Sequence, residues 1–146
     1  MTQDDLPNLG VLLFLPYRAM EQRVFEEMAR AGYGDMTPAQ ARVFQRIADG
    51  GSRLTDLAEQ AQVTKQTAGF LVDQLERSGY VERVPDPSDG RARLVRVAPR
   101  GRKAVRASAR VVERVEREWE EHLGRDGVET LRGLLARLRE VTDPWA

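Results

Sequence analysis

The chain has no cysteine and a single histidine, His122. The first absence excludes disulfides, thiolate-based peroxide sensing and cysteine metal sites. With the second, a histidine-built metal site would have to come from several chains or lean on carboxylates; no metal and no cofactor are expected. No apolar run reaches the length that crosses a bilayer. The N-terminus is acidic and lacks the basic segment that opens a secretory signal, so the expected location is the cytoplasm. Nucleophile–base pairs, metal-ligand clusters and phosphate-binding glycine loops are missing as well, which argues against an enzyme. The adjacent carboxylates Glu120 and Glu121 read as a solvated helix face.

Net charge is also lacking: 23 basic residues balance 23 acidic ones. The balance hides segregation. Between Arg91 and Arg110 lie eight basic residues (Arg91, Arg93, Arg96, Arg100, Arg102, Lys103, Arg106 and Arg110) and no acidic one, leaving 15 basic against 23 acidic elsewhere. A segregated basic run is what a phosphate-binding surface requires; the plainer alternative is a solvated helix face.

At 146 residues the chain suits one domain, or one domain with an added arm. Apolar spacing predicts a helix over Leu9–Ala31, kinked at Pro16 and ended by Gly32-Tyr33-Gly34. Thr37-Pro38-Ala39-Gln40 combines a cap, a first-turn proline and a capping-box glutamine. The helix it opens is expected to run to about Asp49, with Ala41, Phe44, Ile47 and Ala48 inward. Gly50-Gly51 stops it, and Ser52-Arg53-Leu54 is long enough for one bridge only. Thr55 is expected to cap a short helix, Asp56–Gln60, with Leu57, Ala58 and Ala61 inward. Gln62-Val63 makes the turn to the next helix, without the glycine usual there.

The stretch Thr64–Val97 organises the rest. Thr64 caps a helix whose Leu71, Val72 and Leu75 form a buried stripe, and Gly79 closes it. Tyr80–Val84 alternates like a strand, Pro85–Gly90 is turn chemistry, and Arg91–Val97 alternates back with basic residues on one face. Two short helices with a tight turn, then a basic-tipped hairpin, fit duplex DNA: the second helix in the major groove, the tip along the backbone or minor groove. After Pro99, a long helix over Arg100–His122 is predicted from Val105, Ala109, Val112, Glu116, Trp119 and Leu123, with Val111 and Val115 alongside. Gly124 ends it. Asp126 is expected to cap the last helix, with Val128, Leu131, Leu134, Leu135, Leu138 and Val141 as its stripe. The first helix and the last two lie outside the compact core, each with an apolar face. A second copy would cover those faces and give a two-fold homodimer; the alternative is a helical cap folded on its own chain. The expected architecture is mainly α with a small β hairpin: a winged helix-turn-helix with a helical dimerisation arm. The expected divisions are a dimerisation helix over 1–34, a DNA-binding lobe over 35–98 and C-terminal dimerisation helices over 99–146.

This order of elements resembles the MarR (multiple antibiotic resistance regulator) family of winged-helix repressors over nearly the whole chain. The most specific piece is Leu71-Val72-Asp73-Gln74-Leu75-Glu76-Arg77-Ser78-Gly79-Tyr80-Val81-Glu82-Arg83, followed by Asp86-Pro87-Ser88-Asp89-Gly90-Arg91. Three positions depart from the family pattern. Gly90 replaces a frequent basic residue, Ala98 a common threonine, and Phe70 a frequent polar or basic residue of the recognition helix.

Candidate DNA contacts are Thr64, Lys65, Gln66 and Thr67 on the recognition helix and Arg91 and Arg93 in the wing. Gln66 carries the donor–acceptor pair that reads adenine, and Lys65 can reach guanine or phosphate. Thr67 can meet a thymine methyl or a phosphate. A guanidinium suits a narrow minor groove. Ser52, Arg53 and Thr55 either bind phosphate at a helix N-terminus or simply cap it. Gly69 leaves room either for DNA or for the preceding helix, and Phe70 reads as a packing residue rather than a base contact. The resemblance implies a bond between Asp73 and Arg91 that braces wing against helix. It also implies a small aromatic or phenolic effector, for which Tyr17, Arg18, Met20, Phe44 and Trp119 have suitable chemistry. The function expected is a homodimeric regulator, a repressor, on palindromic double-stranded DNA; the alternative is a winged-helix module that binds protein without specific DNA binding.

Overall fold

A computed structural model describes residues 2–146. Among these residues, six α-helices and one antiparallel hairpin follow in the order α1 (Leu9–Met28), α2 (Pro38–Phe44), α3 (Leu54–Gln60), α4 (Lys65–Arg77), β1 (Val81–Asp86), β2 (Asp89–Val97), α5 (Pro99–Leu123) and α6 (Arg125–Thr142). The chain forms two compact units. One runs over Tyr33–Ala107 with Trp145; the other joins the residues up to Gly32 to Ser108–Pro144, so the division falls inside α5. No described helix is long and apolar enough to cross a membrane.

The unit over 33–107 is built on capped short helices. Thr37 Oγ1 accepts from the Gln40 amide and Gln40 Oε1 from the Thr37 amide, both at 3.2 Å, so α2 starts where its capping box requires. Gln40 is itself buried, and its amide nitrogen is satisfied by Gln74 Oε1 at 3.0 Å, tying α2 to α4. Thr64 Oγ1 accepts from the Thr67 amide at 3.1 Å and opens α4. Val43, Leu57, Ala68, Leu71, Val72 and Leu75 fill the core between α2, α3 and α4. The turn between α3 and α4 has no glycine, yet Gln62 takes the left-handed conformation there (φ 59°) that glycine would adopt without strain.

Gly79 (φ 80°) reverses the chain after α4 into the hairpin. Val81 pairs with Val97 and the register holds to Pro85 opposite Arg93, where a bulge brings Asp86 opposite Asp89. Ser52 bridges to Val95 with both backbone bonds at 2.8 Å, which is the single bridge expected. The first turn of α5 lies against the base of this hairpin. A Cβ on Gly101 would stand 2.2 Å from the Tyr80 carbonyl oxygen and 2.8 Å from Val97 Cγ1, so only glycine permits the approach.

In the other unit, Val111, Val115 and Val128 are buried, and ion pairs link its helices. Arg23 of α1 holds Glu118 of α5 with two bonds of 2.8 and 3.1 Å, Arg114 pairs with Glu27, and Arg132 of α6 reaches Glu116 at 2.8 Å. Helix α1 passes through Pro16 without interruption and ends in a π-helical turn, Ala29–Tyr33.

Several expected boundaries shift. Helix α2 stops at Phe44 instead of Asp49, because Arg46 and Ile47 donate to carbonyls three residues back and Ser52 Oγ takes the Ala48 amide. Val43 rather than Ala48 therefore faces the core. Helix α3 starts at Leu54 behind Arg53, so Thr55 sits inside the first turn and caps nothing. Helix α6 starts behind Gly124, not at a capping Asp126. The buried stripe of α5 is Gly101, Ala104, Val111 and Val115, while Val105, Ala109 and Leu123 are exposed. Val111 and Val115, which lie alongside the expected stripe, are the buried pair of the later turns, and Gly101 is buried against the hairpin base.

Two glycines inside helices should respond in opposite directions to alanine. Gly101→Ala should lower unfolding stability by about 2 kcal/mol or more, as overpacking against backbone does. Gly69→Ala meets only Leu54 Cδ2, at an ordinary 3.6 Å. It should raise stability by about 0.5–1 kcal/mol through helix propensity. Urea titration of each variant measures both.

Candidate nucleic-acid interface

Helix α4 is amphipathic. Ala68, Leu71, Val72 and Leu75 point into the core, and Lys65, Gln66, Thr67, Phe70 and Asp73 are exposed. All four predicted recognition residues are thus exposed, and among the described residues the Lys65 and Gln66 side chains make no hydrogen bond. The Thr64 hydroxyl is engaged at both ends: it accepts from the Thr67 amide and donates to Thr67 Oγ1 at 2.9 Å. It acts as the cap that orders the turn.

The wing carries its charges on two faces, because strand side chains alternate. Arg91 and Arg93 fall on one parity of β2. Arg96 falls on the other and meets Glu82, its register partner, at 2.7 Å. Among the described residues no ion pair engages Lys65, Arg91 or Arg93. The basic run is therefore partly neutralised within the fold: Arg96 by Glu82, Arg100 by Asp35 at 2.9 Å. Cations left without an acidic neighbour are those available to phosphate.

The brace between helix and wing differs from the one the family resemblance implies. Asp73 Oδ1 accepts from Arg83 Nη2 at 2.8 Å, not from Arg91, and Arg83 Nη1 also holds Glu76 at 3.0 Å. The Arg83 amide donates to Glu76 Oε2 as well, at 3.2 Å. Arg83 follows α4 by one tight turn and so lies beside the helix. Arg91 lies at the far end of the hairpin, where its backbone amide donates to Asp89 Oδ1. One strand residue thus secures the hairpin base to α4 and neutralises the carboxylate nearest the reading face.

A second clamp, unforeseen from the sequence, sits at the wing turn. Asp86 is buried at 7 % exposure although it is charged. Its Oδ1 accepts from the Ser88 hydroxyl at 2.7 Å and the Ser88 amide at 2.9 Å; its Oδ2 takes Arg53 Nε and Nη2 at 3.0 and 2.8 Å. Ser88 and Arg53 hold the Asp86 carboxyl below the usual carboxylate range. The signal was Asp86-Pro87-Ser88, since an aspartate in a turn accepts from the backbone two residues on. Arg53 is thereby occupied in the fold, and Ser52 uses its hydroxyl on the Ala48 amide. Of the three residues considered for phosphate at this helix start, Thr55 is the one exposed without a side-chain bond among those described.

The residues of suitable effector chemistry divide between the two units. Phe44 is 8 % exposed, edge-on to Tyr80 with ring centroids 6.3 Å apart, and serves the core. Tyr17 is exposed and donates to Glu21 at 2.7 Å; Arg18 is exposed; Met20 and Trp119 are half-buried. A cavity of about 610 Å³ opens at the α3–α4 turn, lined by Ala58, Glu59, Gln62, Val63, Thr64, Thr67 and Trp145, and none of those five residues lines it.

The clamp at Asp86 has a defined pH signature. A carboxylate with a depressed folded value contributes stability that is complete above its unfolded value of about 3.9, and loses it as pH falls through the folded value. Asp86→Asn should lower the urea midpoint at pH 7. The difference from the parent chain should shrink as pH drops below about 4. A constant difference down to pH 2 would show that the carboxylate's charge is not the stabilising element.

Comparison with known proteins agrees with this geometry. The MarR family model matches residues 34–92, which span α2 to the start of β2. The transcriptional regulator HosA of Escherichia coli O111:H- is 36 % identical over 62 % of this chain and 66 % of its own. A probable transcriptional regulator from Pseudomonas aeruginosa is 30 % identical, with 94 % of this chain and 99 % of that one aligned and a TM-score of 0.60. The reduced form of MarR from E. coli superposes with a TM-score of 0.73 at 26 % identity, covering 92 % of this chain and 98 % of that one. An exposed, polar first turn of α4, a basic hairpin and this likeness along the chain agree on one assignment: the chain belongs to the MarR family of transcriptional regulators, which bind DNA and are not enzymes.

Proposed function

We propose that the chain acts as a homodimeric, sequence-specific repressor on a palindromic operator, relieved by a small aromatic or phenolic effector. The observation that carries the DNA-reading part is the free first turn of α4. Lys65, Gln66 and Thr67 are exposed on a capped, well-packed helix, in one compact unit with a wing whose Arg91 and Arg93 lack acidic partners. Gln66 reads adenine, Lys65 takes guanine or phosphate, and the wing arginines lie in the minor groove. In a dimer the two helices enter successive major grooves, about 34–36 Å apart.

Dimerisation is supported by apolar surface. Helix α1 exposes Leu9 (77 %), Phe14 (54 %) and Leu15 (50 %), and α6 exposes Leu134 (57 %) and Val141 (81 %). Each such side chain gains about 1.5–3 kcal/mol on full burial, so together they favour a second copy of the same arm. For the effector, Arg18 has the cation for a carboxylate or phenolate, and Tyr17, Met20 and Trp119 of the same unit have suitable aromatic or apolar chemistry; repression is relieved if the ligand prefers the conformation that cannot span two grooves.

Binding to DNA selected from a random pool should be palindrome-dependent and fall steeply with salt. Gln66→Ala should relax the preference at one base position per half-site. Arg93→Ala should weaken all sequences alike and flatten the salt slope by about one per subunit. Equal affinity for every sequence would remove the reading. Independently, Leu134→Glu should shift sedimentation from dimer to monomer; an unchanged dimer would place the interface elsewhere.

A further inference from the structure

Helix α4 holds one large apolar side chain that the fold does not use. Leu71, Val72 and Leu75 are at most 7 % exposed, whereas Phe70 is 58 % exposed. The packing role expected for Phe70 is thus overturned: the core stripe of α4 passes through its neighbours, and the ring lies on the opposite face. That face is the one carrying Gln66 four residues earlier and Asp73 three residues later, positions that are neighbours on a helix.

The surroundings favour contact with DNA rather than with protein. Asp73, the one acid on this stripe, is held by Arg83 at 2.8 Å, so its repulsion of phosphate is muted. Gly69 precedes the ring, and a Cβ there would make only ordinary contact with α3, so packing does not demand the glycine. Four residues of helix rise about 6 Å, roughly two base steps, so a ring one turn beyond Gln66 reaches bases next to those Gln66 reads. A phenyl ring has no donor or acceptor. The one apolar group the major groove offers is the 5-methyl of thymine.

We propose that Phe70 is a specificity-determining residue of the recognition helix, its exposed ring taking the 5-methyl group of a thymine one or two base steps from the base read by Gln66. The assignment rests on α4 being the helix that reads the major groove. It makes the chain discriminate by a methyl group at that base step.

The experiment uses the full chain and an operator fragment obtained by selection from random duplexes. Each thymine is replaced singly and symmetrically by uracil, which removes only the methyl. For the parent chain, one symmetric pair of replacements should weaken binding about four-fold per half-site, or about fifteen-fold for two half-sites, the value of one buried methyl each. Phe70→Ala should bind the thymine and uracil operators equally, with an unchanged salt slope and an unchanged dimer. Phe70→Leu should keep part of the discrimination. The proposal is overturned if no thymine is distinguished from uracil by the parent chain. It is also overturned if discrimination survives in Phe70→Ala, or if that variant changes oligomeric state, which would make the ring a protein contact. Loss of discrimination in Phe70→Ala while Gln66→Ala still relaxes an adjacent position supports it. Absence of any sequence preference in the parent chain would instead remove the underlying reading of α4.

Discussion

Tyr80 has no exposed surface, and a buried phenol must find a partner within the fold. Its hydroxyl donates to Asp35, and burial together with that carboxylate pushes its ionisation far above the ordinary tyrosine value, so it stays neutral. Arg100 lies 4.3 Å from the ring centroid, pairs with Asp35 and donates to the Ser78 carbonyl at 2.6 Å. The Tyr80 carbonyl accepts from the Ala98 amide at 2.9 Å, beneath the bare backbone of Gly101. One residue thus joins the segment before α2, the end of α4, the start of the hairpin and the start of α5. Those contacts hold the base of the hairpin against the end of α4 and the start of α5.

Around that anchor, charge is arranged for two purposes. Three arginines are structural: Arg83 holds Asp73 and Glu76, Arg96 holds Glu82, and at the wing turn Arg53 holds Asp86. Surface ion pairs taken singly add little stability. Here they matter through geometry, because each joins the hairpin to a neighbouring segment or strand. Arg91 and Arg93 have no such partner among the described residues. A chain of zero net charge can therefore present local positive potential, since its acids are paired or lie elsewhere.

The sequence was most legible where the backbone dictates residue type. The caps Thr37 and Thr64, the stop at Gly79, the Ser52 bridge and the hairpin were all readable, because capping and left-handed turns select few residues. Side-chain partnerships were less so. Asp73 and Arg91 looked paired on pattern, but distance along the hairpin gave Asp73 to Arg83. Arg53 looked free for phosphate, but a buried Asp86 claims it. Phe70 looked like core because it is large and apolar, yet helical phase turns it outward.

Composition, spacing and turn chemistry by themselves determined that this is a helical chain with a short hairpin, a capped helix-turn-helix and apolar faces in excess of its own core. These follow from local rules, in which a residue's neighbours are within one or two turns. Tertiary structure alone decided which stripe of α5 is buried, which arginines are neutralised and which face of α4 is free. Those outcomes depend on contacts between residues tens of positions apart, such as Gly101 against Tyr80 and Arg53 against Asp86, which only the folded backbone brings within reach.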